Sequence, residues 1–378
     1  MQGFRFDPVE LPAGIPALRE EVRAFVSAEL GAIPARRRAN SWMTFDSAFS
    51  RKLGARGWIG MVWPKTHGGH ERSALERYVV LEELLAAGAP VGAHWIADRQ
   101  SGMALLRYGS EAQRRRWLPG FAAGEIYCCI GMSEPGAGSD LASVRMRATR
   151  VPGGWRLDGQ KIWTTNAGRC RLMIALVRSS GTHGDRHQGL SQFLVELDNP
   201  GIRVRPIRDL VGDEDFSEVF FDAAFVPEDA LLGAEGAGWK QVTSELSLER
   251  SGPERYLSSF ALFVELLRAA GPEPEEPLRS LIGRLTAQLW TLRQMSLSVA
   301  GQLAAGREPM LEAAVVKDLG NSFEQELPRA VQALLGLEGE GELQRVLAYL
   351  LQVAPSFSLR GGTREILRGI VARGLGLR

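Results

Sequence analysis

Hydrophobic periodicity changes twice along this chain, near Gly124 and again near Gly236, and that order narrows the folds open to it. From Ile15 to about Gly120, Leu18, Val22, Phe25 and Val26 recur at three- and four-residue steps, as do Leu75, Tyr78, Val79 and the run 82–85. Glycine and proline punctuate this stretch at 31–34, 63–69 and 88–90. Beyond Gly124 the apolar runs shorten, at 143–151, 155–158, 172–177, 192–197 and 218–221, with turn formers at Pro152-Gly153-Gly154, Asp158-Gly159 and Asn199-Pro200-Gly201 between them. From Gly236 the helical period returns over 237–269, 278–305, 310–336 and 340–353. The expectation is an α+β multidomain protein: a helical N-terminal domain (1–120), a central antiparallel β-barrel (121–232) and a C-terminal four-helix bundle (233–378).

Charge excludes some functions. In 378 residues, 45 basic side chains meet 44 acidic ones, so no global field draws the chain to nucleic acid or to an anionic membrane. The first ten residues carry Asp7 and Glu10 without an apolar core, and no apolar run reaches bilayer length, so a cytoplasmic location is expected. Cys128, Cys129 and Cys170 have no zinc-binding or redox spacing; they read as small buried apolar residues, and no metal site is expected. The arginine triplets at 36–38 and 114–116 read as solvated helix faces.

The segment Ile130-Gly131-Met132-Ser133-Glu134-Pro135-Gly136-Ala137-Gly138-Ser139-Asp140 reads as a strand entering a glycine-rich turn, where backbone N–H groups can approach an anion or a ring edge. Alone, such a turn is only a loop. Further on, Gly159-Gln160-Lys161-Ile162-Trp163-Thr164-Thr165-Asn166-Ala167-Gly168 reads as a strand whose alternation puts Trp163 and Thr165 on one side, a pairing able to pack a flat heteroaromatic ring and bond its polar edge.

Together with Gly60-Met61-Val62-Trp63-Pro64, Glu218-Val219-Phe220-Phe221-Asp222 and Gly361-Gly362-Thr363-Arg364-Glu365-Ile366, these segments resemble, in order and over essentially the whole chain, the acyl-CoA dehydrogenase family. The resemblance implies the same three-part fold, with FAD at the junction of the parts. It implies cofactor contacts from Ile130, Met132, Ser133, Gly138 and Ser139, from Trp163, Thr164 and Thr165, from Gln332 and Gly336 across a subunit interface, and from Thr363 and Glu365 at the phosphates. A Gly-Gly-Thr opening a helix suits that last task, because its free N–H groups and the helix dipole favour a phosphate. Acyl-CoA contacts are implied at Ser139, Ser247, Arg250 and Gly362. The implied reaction removes an α-proton as a hydride leaves the β-carbon for flavin N5, giving the trans-2-enoyl-CoA, and the electrons pass to an electron-transferring flavoprotein.

Two positions depart from the family pattern. Many relatives carry the base just before the C-terminal Gly-Thr, where this chain has Gly361; those resembling isovaleryl-CoA dehydrogenase carry it before an arginine on the first bundle helix, where this chain has Glu249-Arg250. Pro253 lacks the N–H that would bond the Glu249 carbonyl, so the helix is expected to loosen there. Glu249 is therefore the expected base, with Glu245 at i, i+4 as the alternative. The usual Arg-x-x-Phe-Gly contact to a neighbouring subunit's FAD is replaced by Gly271-Pro272-Glu273-Pro274-Glu275-Glu276-Pro277, leaving Arg279 or Arg284 to substitute. That change resembles heterotetrameric relatives acting on steroid side chains, so both a homo-oligomer and a heterotetramer with a sister chain stay open. Two other functions also stay open: an acyl-CoA oxidase passing electrons to oxygen, and a weakly catalytic subunit supporting a partner's site.

Overall fold

The computed structural model describes residues 3–31, 33–248 and 250–377, apart from the side chains of residues 183 and 245–248. In chain order the helices are α1 (Ile15–Leu30), α2 (Ala35–Arg38), α3 (Ser47–Ala55), α4 (Ala74–Ala86), α5 (Gly102–Tyr108), α6 (Glu111–Ala122), α7 (Gly238–Leu248), α8 (Phe260–Ala270), α9 (Leu278–Ala304), α10 (Met310–Leu335), α11 (Glu342–Val353) and α12 (Arg364–Gly374). Between α6 and α7 run the strands β1 (Cys128–Gly131), β2 (Arg147–Val151), β3 (Gly154–Thr165), β4 (Leu172–Arg178), β5 (Leu190–Glu196), β6 (Ile202–Ile207), β7 (Phe216–Pro227) and β8 (Leu231–Leu232). The chain forms two compact units: Met1–Thr44 with Arg72–Pro90 and Glu249–Arg378, and Phe45–Glu71 with Val91–Leu248.

The first unit is helical. In α1, Ile15, Leu18, Val22, Phe25, Val26 and Leu30 are buried along one stripe, as the sequence spacing predicts. Helix α4 opens on a Ser73–Glu76 capping box, then buries every residue from Tyr78 to Leu85 because α1 and α9 cover it. Two of those residues are acidic. Glu82 accepts from Arg19 at 2.6 Å and from Arg293 at 2.6 Å, while Glu83 pairs with Arg19 and with Arg23 at 2.7 Å, so neither carboxylate is buried without a cation. The helical run expected over 237–269 is interrupted: α7 ends at Leu248, a short 3₁₀ turn occupies Pro253–Arg255, and α8 begins at Phe260. Toward the C-terminus α10 packs on α9, α11 and α12.

The second unit is built on a sheet with strand order β6-β7-β3-β2-β4-β5-β8, and β1 pairs with β4. The sheet departs from the expected antiparallel barrel in two ways. The sheet is open: no ladder joins β6 to β8 among the described residues, β8 is only two residues long, and β6 alternates half-buried and exposed positions in the manner of an edge. It is also mixed, because β1 runs parallel to β4, with the β2–β3 hairpin falling between them in the chain. β4 is buried along its whole length: Leu172 and Ile174 face a core with Trp63, Leu105, Trp117 and Phe121, while Met173, Ala175 and Val177 face one with Trp155, Phe193 and Val219. Two-sided burial explains its unbroken apolar run. Cys128 and Cys129 are buried, Cys170 is half-buried, and all three are free thiols.

In this unit the His94 Nδ1 lies 2.8 Å from the Ser50 hydroxyl. Burial pulls its pKa from 6.5 down to about 4, with Asp98 opposing the shift. Between those values the unfolded chain binds a proton that the folded chain refuses, so stability is lost as pH falls through that window. Acid titration of the unfolding midpoint tests this: His94→Asn removes on the order of 3 kcal/mol of the loss between pH 7 and pH 4, whereas identical pH profiles would show that His94 takes up its proton in place.

Candidate active site

In the sheet unit, β1 leads from half-buried Ile130 through Gly131 into a turn at 132–138. A Cβ on Gly131 would meet the Met173 sulfur at 2.6 Å and the Lys161 Cγ at 3.2 Å, so a larger residue there would have to displace the Met173 side chain. Glu134 and Ala137 exchange backbone hydrogen bonds of 2.9 and 3.0 Å, which closes the turn. The Glu134 carboxylate then points inward. It accepts from the backbone N–H groups of Arg145 at 2.7 Å and Met146 at 3.0 Å, and from the Lys161 ammonium at 2.9 Å. Lys161, on β3 and wholly buried, also donates to the Met132 carbonyl at 3.0 Å, and the Ile162 N–H donates to the Ser133 carbonyl at 2.9 Å. Burial lowers the Lys161 pKa to about 8, with Glu134 holding it up against a larger fall. Arg178, at the end of β4, secures the following loop by donating to the carbonyls of Ala142, Val144, Arg186 and Gln188 at 2.7–3.3 Å.

Beyond the turn, Gly138 and Ser139 are exposed, and a Cβ at Gly136 or Gly138 would meet nothing within 4 Å. The turn therefore faces open space. On β3 a bulge between Lys161 and Thr164 interrupts the alternation against β7, and Trp163 takes a φ of 59°, unusual for a bulky residue. Its indole is 58% exposed and meets Phe216 edge-on. Thr164 is buried with its hydroxyl lacking a partner, and Thr165 is half-buried. An exposed indole next to an unpaired buried hydroxyl, with an open glycine turn bonded to the same strand, fits a flat ring with polar edges.

In the helical unit, Gly361 and Gly362 have φ of 63° and 101°. Arg250, 5% exposed, brings Nε to 3.4 Å from the Gly361 carbonyl, and the wholly buried Lys317 of α10 donates to the Gly362 carbonyl at 2.6 Å. Thr363 stands at the N-cap position of α12 without a side-chain capping bond; hydrogen bonds from the Glu365 N–H and the Thr363 hydroxyl hold the exposed Glu365 carboxyl below its usual range. Gln332 lies in the last turn of α10, where its carbonyl accepts from the Gly336 N–H at 2.8 Å. Arg279 and Arg284 are both at the surface, paired with Glu276 and Glu326. Glu249 lies outside the described residues, as do the side chains of Glu245 and Ser247.

The chain matches the family models of the acyl-CoA dehydrogenase N-terminal domain over residues 15–125, the middle domain over 129–224 and the C-terminal domain over 236–376. It belongs to the acyl-CoA dehydrogenase family. The acyl-CoA dehydrogenase IpdE1 of Mycobacterium tuberculosis is 34% identical over 343 residues, covering 87% of each chain. FadE34 of the same organism is 32% identical over 96% of this chain, which spans about half of that relative (49%). Isovaleryl-CoA dehydrogenase of Oryza sativa is 30% identical over 84% of this chain and 80% of its own. Among solved structures, the Tcur3481-Tcur3483 steroid ACAD superposes with a TM-score of 0.87 at 28% identity, covering 97% of this chain and 98% of that one. Acyl-CoA dehydrogenases are flavoprotein oxidoreductases acting on acyl-CoA. No helix among the described residues is long and apolar enough to cross a membrane.

Three residues central to this geometry carry no obvious sign in the sequence. Glu134 and Lys161 stand inside the two recognised motifs, yet a charged side chain in a polar loop or on a strand reads as solvated until its partner is known. Lys317 gives only the hint that it interrupts the apolar Ala313–Val316 run of a helix, at positions 313–316. At Gly362 an added Cβ would find its nearest neighbour, Arg250 Nη2, at 3.7 Å, so backbone conformation rather than space demands glycine. Gly362→Ala is expected to cost about 1–3 kcal/mol in denaturant unfolding; an unchanged midpoint would mean the turn relaxes to negative φ.

Proposed function

We propose that this chain catalyses FAD-dependent α,β-dehydrogenation of an acyl-CoA thioester, with Glu249 as the α-proton base. The observation that carries this reading is the contact between Arg250 and the Gly361 carbonyl. Glu249 is the residue immediately before Arg250 in the sequence. Gly361 is the position at which many relatives carry the base, and glycine there leaves room for a carboxylate arriving from the residue before Arg250. An α-proton beside a thioester is weakly acidic; a base within reach and N–H groups facing the carbonyl oxygen both lower the barrier.

The N–H of Gly362 is suited to the second task. A planar trans peptide points its C=O and N–H in opposite directions, so Arg250, by occupying the Gly361 carbonyl, turns the Gly362 N–H the other way. Met132, Ser133 and the Trp163–Thr165 stretch, numbered 163–165, would hold the flavin ring, with Ile130 and Ser139 beside it. Thr363 and Glu365 would lie at the phosphates, and Gln332 and Gly336 against the FAD of a neighbouring subunit. When bound, FAD supplies the acceptor for the β-hydride. Ser139, Ser247 and Arg250 would bind the acyl-CoA, and an electron-transferring flavoprotein would take the electrons.

The assembly we favour pairs this chain with a sister chain, and the C-terminal helices form a four-helix bundle. The acidic loop at 271–277, where relatives place an FAD-binding arginine, supports unequal sharing of cofactor sites. The ChsE4-ChsE5 complex from Mycobacterium tuberculosis, at 27% identity and a TM-score of 0.84, is similar to this chain over 98% of its length. That likeness supports a two-chain assembly, and the likeness to the steroid ACAD above favours a bulky or polycyclic acyl group.

Anaerobic titration with a panel of straight, branched and polycyclic acyl-CoA thioesters, followed at the flavin absorbance, tests the reading. The wild type should bleach with the bulky members, and Glu249→Gln should slow bleaching at least about 100-fold. Bleaching by Glu249→Gln at the wild-type rate would remove Glu249 as the base.

A further inference from the structure

Of the 45 basic residues only five are lysines, namely Lys52, Lys65, Lys161, Lys240 and Lys317. Three are exposed, while Lys161 and Lys317 are wholly buried, and each of those two donates to a backbone carbonyl within a glycine turn. A narrow ammonium on a flexible stem can reach a single carbonyl from inside a packed core, where a planar guanidinium needs a wider slot.

At Lys161 the consequence can be followed through the peptide planes. The ammonium holds the Met132 carbonyl at 3.0 Å, so the N–H of Ser133, trans across the same peptide, points away from Lys161. The Ser133 carbonyl is held in turn by the Ile162 N–H at 2.9 Å, which leaves the Ser133 backbone little freedom on either side. Glu134 completes the arrangement: its carboxylate takes Lys161 at 2.9 Å and the backbone of residues 145 and 146, tying the start of the turn to the loop that follows it.

We propose that Lys161 is a positioning residue for the cofactor: paired with Glu134, it sets the direction of the Ser133 N–H that meets the flavin edge. This role rests on the FAD reading above and adds to it the residue that aims the turn. It predicts that removing the ammonium weakens cofactor binding more than the accompanying loss of stability explains.

The test compares Lys161→Met with Val195→Ala, a fully buried core substitution in β5 of the same sheet. Each full-length protein is purified as holoenzyme, with its unfolding midpoint, flavin absorption spectrum and FAD dissociation constant measured. Lys161→Met should raise the dissociation constant at least about tenfold and shift the flavin absorption maximum, while Val195→Ala stays within about twofold of wild type. If Lys161→Met leaves its carboxylate partner unpaired and does not fold, Glu134→Gln/Lys161→Met, which buries no lone charge, takes its place with the same expectation. Equal dissociation constants and unshifted spectra in the lysine variant and in Val195→Ala overturn the positioning role while leaving the FAD reading intact. A wild-type chain that holds no flavin either alone or assembled with its sister chain overturns both.

Discussion

A carboxylate and an ammonium facing each other inside the sheet unit, Glu134 and Lys161, hold the glycine turn on which the flavin side of the site depends. Burying such a pair costs desolvation of both ions, and attraction across 2.9 Å offsets that only when the remaining donors and acceptors are also satisfied. Here two backbone N–H groups accompany the ammonium at the carboxylate, and the Met132 carbonyl accepts a second hydrogen bond from the ammonium. The arrangement joins β1, β3 and the start of β2 at one point, so the turn can project glycines into open space without losing its shape. The helical unit uses a related device at its own glycine turn, where Arg250 and Lys317 take successive carbonyls and α12 starts immediately afterwards.

Much of the fold was legible because it follows from local pattern. The stripe of α1 needs only a period of 3.6, and β4 reads as a strand because burial on both faces demands an unbroken apolar run. The loosening near Pro253 follows from a missing N–H, and the chain does leave the helix between Leu248 and Phe260. Pairing partners are a different matter. Nothing in Cys128–Gly131 specifies that it lies parallel to β4, and nothing in β6 forbids a ladder with β8; both are settled by packing between distant segments, and so the expected closed antiparallel barrel is instead an open mixed sheet.

At the candidate site the sequence supplies motif positions, and the fold supplies what surrounds them. Motif order brought Ile130, Met132, Ser133, Gly138 and Trp163–Thr165, positions 163–165, to one sheet unit, and Arg250 beside Gly361 to one helical unit. The charges behind them were hidden, because Lys161 and Glu134 lie 27 residues apart and only the folded β3 brings them together. The left-handed backbone of Trp163 was equally hidden, since strict alternation along β3 assumes a regular ladder and the bulge before Thr164 replaces it.

Amide hydrogen exchange resolved to single residues measures the locked turn most directly. The N–H groups of Arg145, Met146 and Ile162 end on Glu134 and Ser133, and should exchange as slowly as those in the middle of β4. Exchange at the rate of the exposed stretch 184–187 would mean that the ion pair does not hold the turn, and the proposed aim of Ser133 would lose its basis.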